Sequence, residues 1–108
     1  MSDVRLKKGG SARFVLEAVK DNDTLTIPAG FIITDIVCKK SGAIAGNLRI
    51  GTTSTGQEVV ADTALGIIDG ALIQMTPILT AFSVDTILYI NIDSLATGTL
   101  AIHVQKVI

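Results

Sequence analysis

Residues 46–53, GNLRIGTT, have almost the spacing of a nucleotide-binding loop. A phosphate-binding P-loop follows the pattern G-x-x-x-x-G-K-[ST], and Gly46, Gly51 and Thr53 match its glycine and hydroxyl positions. Thr52 stands where the phosphate-contacting lysine is required, so the essential charge is missing. A P-loop is also followed by a helix whose N-terminus faces the phosphate. Here a turn and a β-branched run follow, so the stretch predicts a strand that ends in a turn, with Leu48 and Ile50 inward and Asn47 and Arg49 outward.

Acidic residues at 21–23 resemble the start of a calcium-binding loop. An EF-hand loop beginning at Asp21 needs glycine at its sixth position and glutamate at its twelfth. The sequence has Thr26 and Ile32 at those positions. Asn and Asp side chains bond to their own backbone in turns, and the stretch is therefore predicted to be a turn.

The chain has one histidine, His103, and one cysteine, Cys38. One histidine cannot form a multi-histidine metal centre, and no serine lies in a nucleophile-elbow pattern that would suggest a triad. One cysteine excludes an internal disulfide and a zinc site built from several cysteines. Because Cys38 lies in an apolar run, we expect a partly buried thiol. The sequence thus predicts no catalytic residue, no metal, no cofactor and no enzyme activity.

Composition indicates a single domain, 1–108, in which residues 1–10 could form an extended N-terminal arm. Hydrophobic residues make up 48%, charged residues only 18%, and the mean hydropathy is +0.56. A small domain has much surface and should be more polar, so we infer that apolar surface is buried against another subunit. The net charge of −1 argues against a nucleic-acid partner. Lys39 and Lys40 are predicted to be a solvated strand end.

A membrane partner and a secretion signal are not indicated by the sequence. The longest uncharged stretch, residues 70–84, is too short to span a bilayer and contains Gln74 and Pro77. The first residues lack the apolar run of a signal peptide. We therefore expect a soluble protein that is made in the cytoplasm without a signal peptide.

Most of the chain alternates apolar and polar residues with period two, and Gly, Asn and Asp separate the segments. This pattern predicts an all-β fold, an antiparallel β-sandwich or jelly roll of about eight short strands, with a barrel as the alternative. The predicted strands are 3–8, 12–20, 24–27, 31–39, 47–52, 57–62, 85–93 and 99–108, with one or two more within 62–82.

Three strand segments carry more specific predictions. In 12–20, Phe14, Leu16 and Ala18 should face one way and Val19 the other. The strand 31–39 is apolar on both faces, which predicts cover on both sides. The two C-terminal strands alternate around a short loop at 94–98, and this arrangement predicts a hairpin. One face of the first should carry Leu88, Ile90 and Ile92, and one face of the second Leu100, Ile102 and Val104.

Residues 62–82 are strongly apolar and are interrupted by Gly66, Gly70 and Pro77. These residues lie too close together for a continuous helix, so strands with a connecting loop are favoured. We expect this region to contact a second subunit. The interface candidates are Ile67, Ile68, Leu72, Ile73, Met75, Leu79 and Phe82.

The stretch from Leu25 to Leu65 resembles small tailed-bacteriophage virion structural proteins of jelly-roll type. The resemblance rests on Ile27-Pro28-Ala29-Gly30, the apolar strand 31–38, the segment Gly46 to Thr53, and Val59 to Leu65. The closing TILYINID…GTLAIHVQKVI is also similar to the ends of such proteins. The resemblance covers most of 24–108 and does not include the first twenty residues.

This resemblance implies a jelly-roll module, often a trimer, located in the virion on a capsid or tail. Our leading hypothesis is a homotrimeric capsid decoration, or cement, protein that binds and stabilises the head lattice. Its partner would be the major capsid protein or another virion protein. The alternative is a tail- or fibre-associated receptor- or glycan-binding module that uses Asn22, Asn47, Thr53 and Tyr89. The scarcity of aromatic residues disfavours this alternative, since glycan and base stacking need exposed rings.

Overall fold

The computed structural model describes residues 11–78, 81–93 and 97–106. These ranges form eight strands and contain no helix, and therefore none that could cross a membrane. The strands are β1 (Ser11–Leu16), β2 (Asp23–Ile27), β3 (Phe31–Ser41), β4 (Asn47–Gly51), β5 (Val60–Ala64), β6 (Leu72–Met75), β7 (Thr86–Ile92) and β8 (Thr97–Lys106). The predicted strand 3–8 and the predicted arm 1–10 lie outside the described residues.

The strands form two four-stranded antiparallel sheets, ordered β1-β8-β3-β6 and β2-β7-β4-β5. The predicted antiparallel β-sandwich of about eight strands is confirmed. The pairing is nested, because β1 pairs with β8, β2 with β7, β3 with β6, and β4 with β5. Only β4 and β5 are consecutive strands of one sheet, so every other connection crosses between the sheets.

The core lies between the two sheets and is built from alternating residues of the central strands. Leu100, Ile102 and Val104 of β8 are buried, as are Leu88 and Ile90 of β7. The predicted inward faces of these two segments are therefore confirmed. Each buried aliphatic side chain of this size contributes about 1.5–3 kcal/mol relative to an exposed one, and together they hold the sheets face to face.

The predicted C-terminal hairpin is wrong. β7 lies between β2 and β4 in one sheet, whereas β8 lies between β1 and β3 in the other. Alternation indicates which face of a strand is buried, and both strands do bury one face in the same core. It carries no information on whether two neighbouring segments pair edge to edge or face each other across that core.

A β-bulge explains why β3 looks apolar on both faces. The pairing of β3 with β8 shifts register between Ile33 and Asp35. Ile33 points inward before the shift and Ile36 after it, so the inward residues change from odd to even positions. The outward face carries exposed Thr34 and Lys39. Within the described chain the core covers one face of β3, and cover of the other face stays a prediction.

The first described strand is shorter than predicted and ends at Leu16. Ala18 follows with a positive φ of 52° and is exposed, while Val19 is completely buried and donates its N–H to the carbonyl of Gly98 at 2.9 Å. The predicted faces hold for Phe14 and Leu16 and are reversed for Ala18 and Val19. The left-handed backbone at Ala18 ends the alternation, and a sequence pattern of period two cannot show this.

Gly51, the second glycine of the P-loop-like stretch, lies where a turn folds back onto β4. The Thr52 N–H donates to Glu58 Oε1, and the Val59 N–H donates to the Ile50 carbonyl, both at 3.0 Å. A Cβ atom on Gly51 would lie 2.5 Å from the Gly56 carbonyl carbon. The glycine is therefore required by close packing of two backbone segments.

Replacing Gly51 by alanine should lower the free energy of unfolding by about 2–3 kcal/mol, because the new methyl group overlaps backbone that cannot rotate away. Gly66→Ala is the control. It has a positive φ but nothing within 4 Å of a new Cβ, so backbone strain alone should cost about 1 kcal/mol. Urea unfolding of both variants measures the difference, and equal losses would contradict the packing argument.

Candidate functional site

The stretch first considered as a phosphate loop is a strand and a turn. Residues 47–51 form β4, and the described chain continues through a turn at 52–55 to β5 without a helix. Leu48 and Ile50 point into the core and Arg49 points outward, as predicted. Within the described ranges, no three His, Cys, Asp or Glu side chains lie close enough together to hold a metal ion.

The turn at 21–23 is held by a buried amide that the sequence does not single out. Asn91 is 1% exposed, and its Nδ2 donates to Asp21 Oδ1 and Asn22 Oδ1, both at 2.9 Å. Its Oδ1 accepts from the Thr55 N–H at 2.8 Å. Asn22 and Thr55 both have positive φ values, and their hydrogen bonds to Asn91 stabilise this backbone conformation. The Asn91 side chain therefore joins β7 to the turn at 21–23 and to the turn at 52–55. The predicted turn at 21–23 is part of this internal hydrogen-bond network.

A second polar cluster neutralises the outward arginine of β4. The Arg49 guanidinium contacts Asp93 Oδ1 at 3.0 Å and Asp62 Oδ1 at 3.3 Å. The hydrogen bond to Asp93, with that to Asp62, raises the pKa of Arg49. Asn47 Nδ2 also donates to Asp62 Oδ2, at 2.6 Å. Pairs as exposed as these contribute about 0–1 kcal/mol each, and the charge of Arg49 is compensated within the chain.

Lys40 is buried, which corrects the prediction of a solvated strand end. The side chain is 1% exposed, and its Nζ donates to the carbonyl oxygens of Ser41 at 2.8 Å and Gly42 at 3.2 Å. Its backbone N–H donates to the Ala71 carbonyl, and its carbonyl accepts from the Gly70 N–H. The sequence pattern failed here because the bulge in β3 turns position 40 inward. Lys40 therefore fastens the loop after β3 to the loop before β6.

Two loops at this end of the sandwich, together with the first residue of β6, display large aliphatic side chains to solvent. Ile44, Ile67, Ile68 and Leu72 are 49%, 61%, 70% and 72% exposed. We call these four residues the apolar loop surface. Exposed apolar groups that lie together mark interaction sites more often than isolated ones do.

The apolar loop surface is held in place by hydrogen bonds at both ends of each loop. The Gly42 N–H donates to Asp69 Oδ1 at 2.8 Å, and the Leu65 N–H donates to the Gly46 carbonyl at 3.0 Å. A further turn bond joins the Ala71 N–H to the Ile68 carbonyl at 3.2 Å. Because hydrogen bonds already hold the backbone of these loops, binding a partner here costs less loop-ordering entropy than binding to a flexible loop would.

The structure divides the seven predicted interface residues into different environments. Ile67, Ile68 and Leu72 are exposed, and Ile73 packs partly against the core. Met75 and Phe82 are buried within the single chain, so their apolar character serves the core. Leu79 lies outside the described residues. Sequence reasoning missed Ile44, although a lone isoleucine in the Ser/Gly/Ala-rich loop 41–46 is a signal that could have revealed it.

The thiol of Cys38 is more deeply buried than predicted. The residue is completely inaccessible, and burial raises the pKa of the Cys38 thiol, an effect that nearby Lys40 partly offsets. A protonated, inaccessible thiol is a poor nucleophile. Cys38 is therefore a small apolar element of the core.

Replacing Lys40 by methionine should loosen the loop after β3 while changing global stability little. The lost Nζ hydrogen bonds and the relieved cost of burying an ammonium group offset each other to within about 2 kcal/mol. Hydrogen exchange of the Gly42 amide should accelerate markedly in Lys40→Met, because the Nζ bonds go to the carbonyls of Ser41 and Gly42, whereas the Gly70 amide keeps its backbone acceptor at residue 40. The exposed neighbour provides the matched control, since Lys39→Met should leave both rates unchanged. Unaltered protection of the Gly42 amide in Lys40→Met would show that the ammonium group does not hold this loop.

Comparison with known proteins gives a fold and no family. No family model and no curated protein matches the chain. The fold is similar to that of a chain in the structure of the capsid of Ralstonia phage GP4, with a TM-score of 0.57. The similarity covers 99% of this chain and 90% of that chain, at 16% sequence identity. At this identity the likeness shows a shared fold.

Proposed function

We propose that the chain is a structural protein of a bacteriophage virion, and specifically a homotrimeric capsid decoration protein that binds and stabilises the head lattice. The observation that carries the proposal is the apolar loop surface, a set of exposed aliphatic side chains on hydrogen-bonded loops. Such a surface suits a permanent contact with another protein better than it suits a soluble monomer.

Two further observations support a role in a capsid. The nested strand pairing, with both sheets antiparallel, is the arrangement expected of a jelly roll, an architecture that occurs in viral capsid domains. The fold also resembles that of a chain from a phage capsid. We include in the proposal that the protein has no enzyme activity and that its partner is the major capsid protein or another virion protein.

A trimer requires a heterologous interface, in which one patch of each subunit meets a different patch of the next. The apolar loop surface lies beside β5 and β6, which are edge strands of the two sheets. We propose that this surface, through Ile67, Ile68 and Leu72, forms one half of that contact. Burying it between subunits accounts for the high apolar content of so small a chain.

Light scattering and capsid binding test the proposal together. We expect the purified protein to have about three times the chain mass at micromolar concentration, and to co-sediment with phage heads that lack it. Heads carrying the protein should withstand higher temperatures than bare heads. A stable monomer would contradict the trimer, and absence of binding to heads would contradict the decoration role.

The receptor- or glycan-binding alternative stays a prediction, and no contact of the described residues favours it. Asn22 Oδ1 and Asn47 Nδ2 form internal hydrogen bonds, while Thr53 is exposed and Tyr89 is half-buried. A glycan array probed with the labelled protein distinguishes the alternatives, since binding to a defined glycan would support the module and oppose a purely structural role.

A further inference from the structure

A groove of about 440 Å³ lies on the outer face of the sheet β1-β8-β3-β6. The groove is lined by Ala12, Arg13, Thr34, His103 and Val104, which belong to three adjacent strands. Ligand pockets occupy roughly 300–1,000 Å³, so its size suits a few side chains of a bound segment. The groove is distinct from the apolar loop surface, which is formed by the loops at the opposite end of β3.

Strand register brings the basic residues of the groove together. Arg13 of β1 is paired with His103 of β8, and His103 is paired on its other side with Asp35 of β3. Directly opposed residues have Cβ atoms about 4.5–5.5 Å apart, so Arg13 and His103 are neighbours on one face. The bulge places Thr34 beside them as an additional residue.

The donors of this groove lack acceptors within the described part of the chain. Neither the Arg13 guanidinium nor the His103 ring forms a hydrogen bond or ion pair there. Asp35 could compensate them, but its Oδ1 accepts from the Ile36 N–H at 3.0 Å and from Gln74 Nε2 at 2.9 Å. Since Gln74 belongs to β6, these bonds direct the carboxylate away from β8.

We propose that this groove binds a carboxylate side chain of an acidic segment in a partner protein. The planar guanidinium of Arg13 matches a carboxylate through two parallel hydrogen bonds, and the His103 ring supplies a further donor. The occupant supplies the acceptor that no described residue provides for the Arg13 guanidinium or the His103 ring.

Two features favour an acidic protein segment over other anions. The chain has a net charge of −1, and this balance disfavours a nucleic-acid backbone. Val15 is exposed and follows Arg13 by two residues, on the same face of β1. An extended segment can cover this side chain while its carboxylate reaches Arg13, whereas a free anion cannot.

His103 is the only histidine in the chain, so its ring signals in a proton NMR spectrum report on the groove directly. The probes are an acetylated tetraglutamate peptide, its tetraglutamine counterpart, acetate and inorganic phosphate. We expect saturable shifts with tetraglutamate, none with tetraglutamine, and at least tenfold weaker binding of acetate and phosphate. Absence of a saturable shift with tetraglutamate overturns the site. Equal affinity for acetate or phosphate overturns the assignment to a protein segment.

Matched variants separate a specific site from general charge. Arg13→Gln should weaken tetraglutamate binding about tenfold or more, through loss of the bidentate contact. Lys39→Gln removes a cation that is exposed on the same face of β3 and should leave the affinity unchanged. Equal losses in both variants overturn the proposal. Light scattering of Arg13→Gln should show an unchanged oligomer, so a failure here is distinguishable from a failure of the proposed trimer.

Discussion

Aspartate at both Ile67 and Ile68 should convert the proposed trimer into folded monomers, with an association constant lowered at least about 100-fold. Both side chains are mostly exposed in the single chain, and therefore their replacement costs the isolated fold little. In the assembly, by contrast, two carboxylates would be buried without partners. Light scattering across a dilution series measures the change, and circular dichroism verifies that the monomer retains its strands.

The matched control places the same two charges elsewhere. Val84 and Ile87 are also exposed aliphatic residues, and they lie at the beginning of β7, away from the apolar loop surface. The double variant Val84→Asp/Ile87→Asp should remain trimeric. Dissociation of both variants to the same extent would mean that net charge governs assembly, and dissociation of the control alone would place the interface on the other sheet.

Replacing Asn91 by leucine should lower the free energy of unfolding by about 2–4 kcal/mol. The Thr55 N–H would lose its acceptor, and the oxygens of Asp21 and Asn22 would lose their shared donor, while leucine provides no polar atom to replace them. Two residues with positive φ would also lose the contact that secures them. Urea unfolding at a fixed protein concentration measures the loss, because oligomerisation makes apparent stability depend on concentration.

Two comparison variants identify the source of that loss. Asn47→Ala removes an exposed amide bonded to Asp62 and should cost less than about 1 kcal/mol. Asn91→Asp keeps the acceptor for Thr55 but directs a negative charge at Asp21, and it should destabilise about as much as leucine does. A stability of Asn91→Asp close to that of the parent would show that the acceptor alone matters.

Period-two alternation was sufficient to predict the fold class and the inward faces of β4, β7 and β8. It could not identify strand neighbours, since a strand buried on one face looks the same whether the next segment joins its own sheet or the opposite one. The bulge at Thr34 changed the orientation of every later residue in β3, which is why Lys40 was assigned to solvent.

The candidate surface was predictable only in part, for a related reason. Residue type alone does not distinguish an exposed aliphatic side chain from a buried one. The apolar segment 62–82 therefore suggested Ile67 and Ile68 as interface residues together with Met75 and Phe82, which belong to the core. The role of the Asn91 amide could not be predicted because its partners lie 36, 69 and 70 positions earlier in the chain. Such distant pairs depend on the wrapping of the sandwich and leave no local pattern in the sequence.

The position of β8 sets the order in which the protein can fold. Among the described strands, β8 is the only neighbour of β1 and also joins β1 to β3, so this sheet cannot assemble until β8 has been synthesised. Formation of the sheet must therefore follow emergence of β8 from the ribosome. Because all the strand pairs except β4–β5 link segments that are distant along the chain, we expect refolding in milliseconds to seconds, as in other domains dominated by such pairs. A nascent chain truncated before residue 97 should remain susceptible to protease throughout translation.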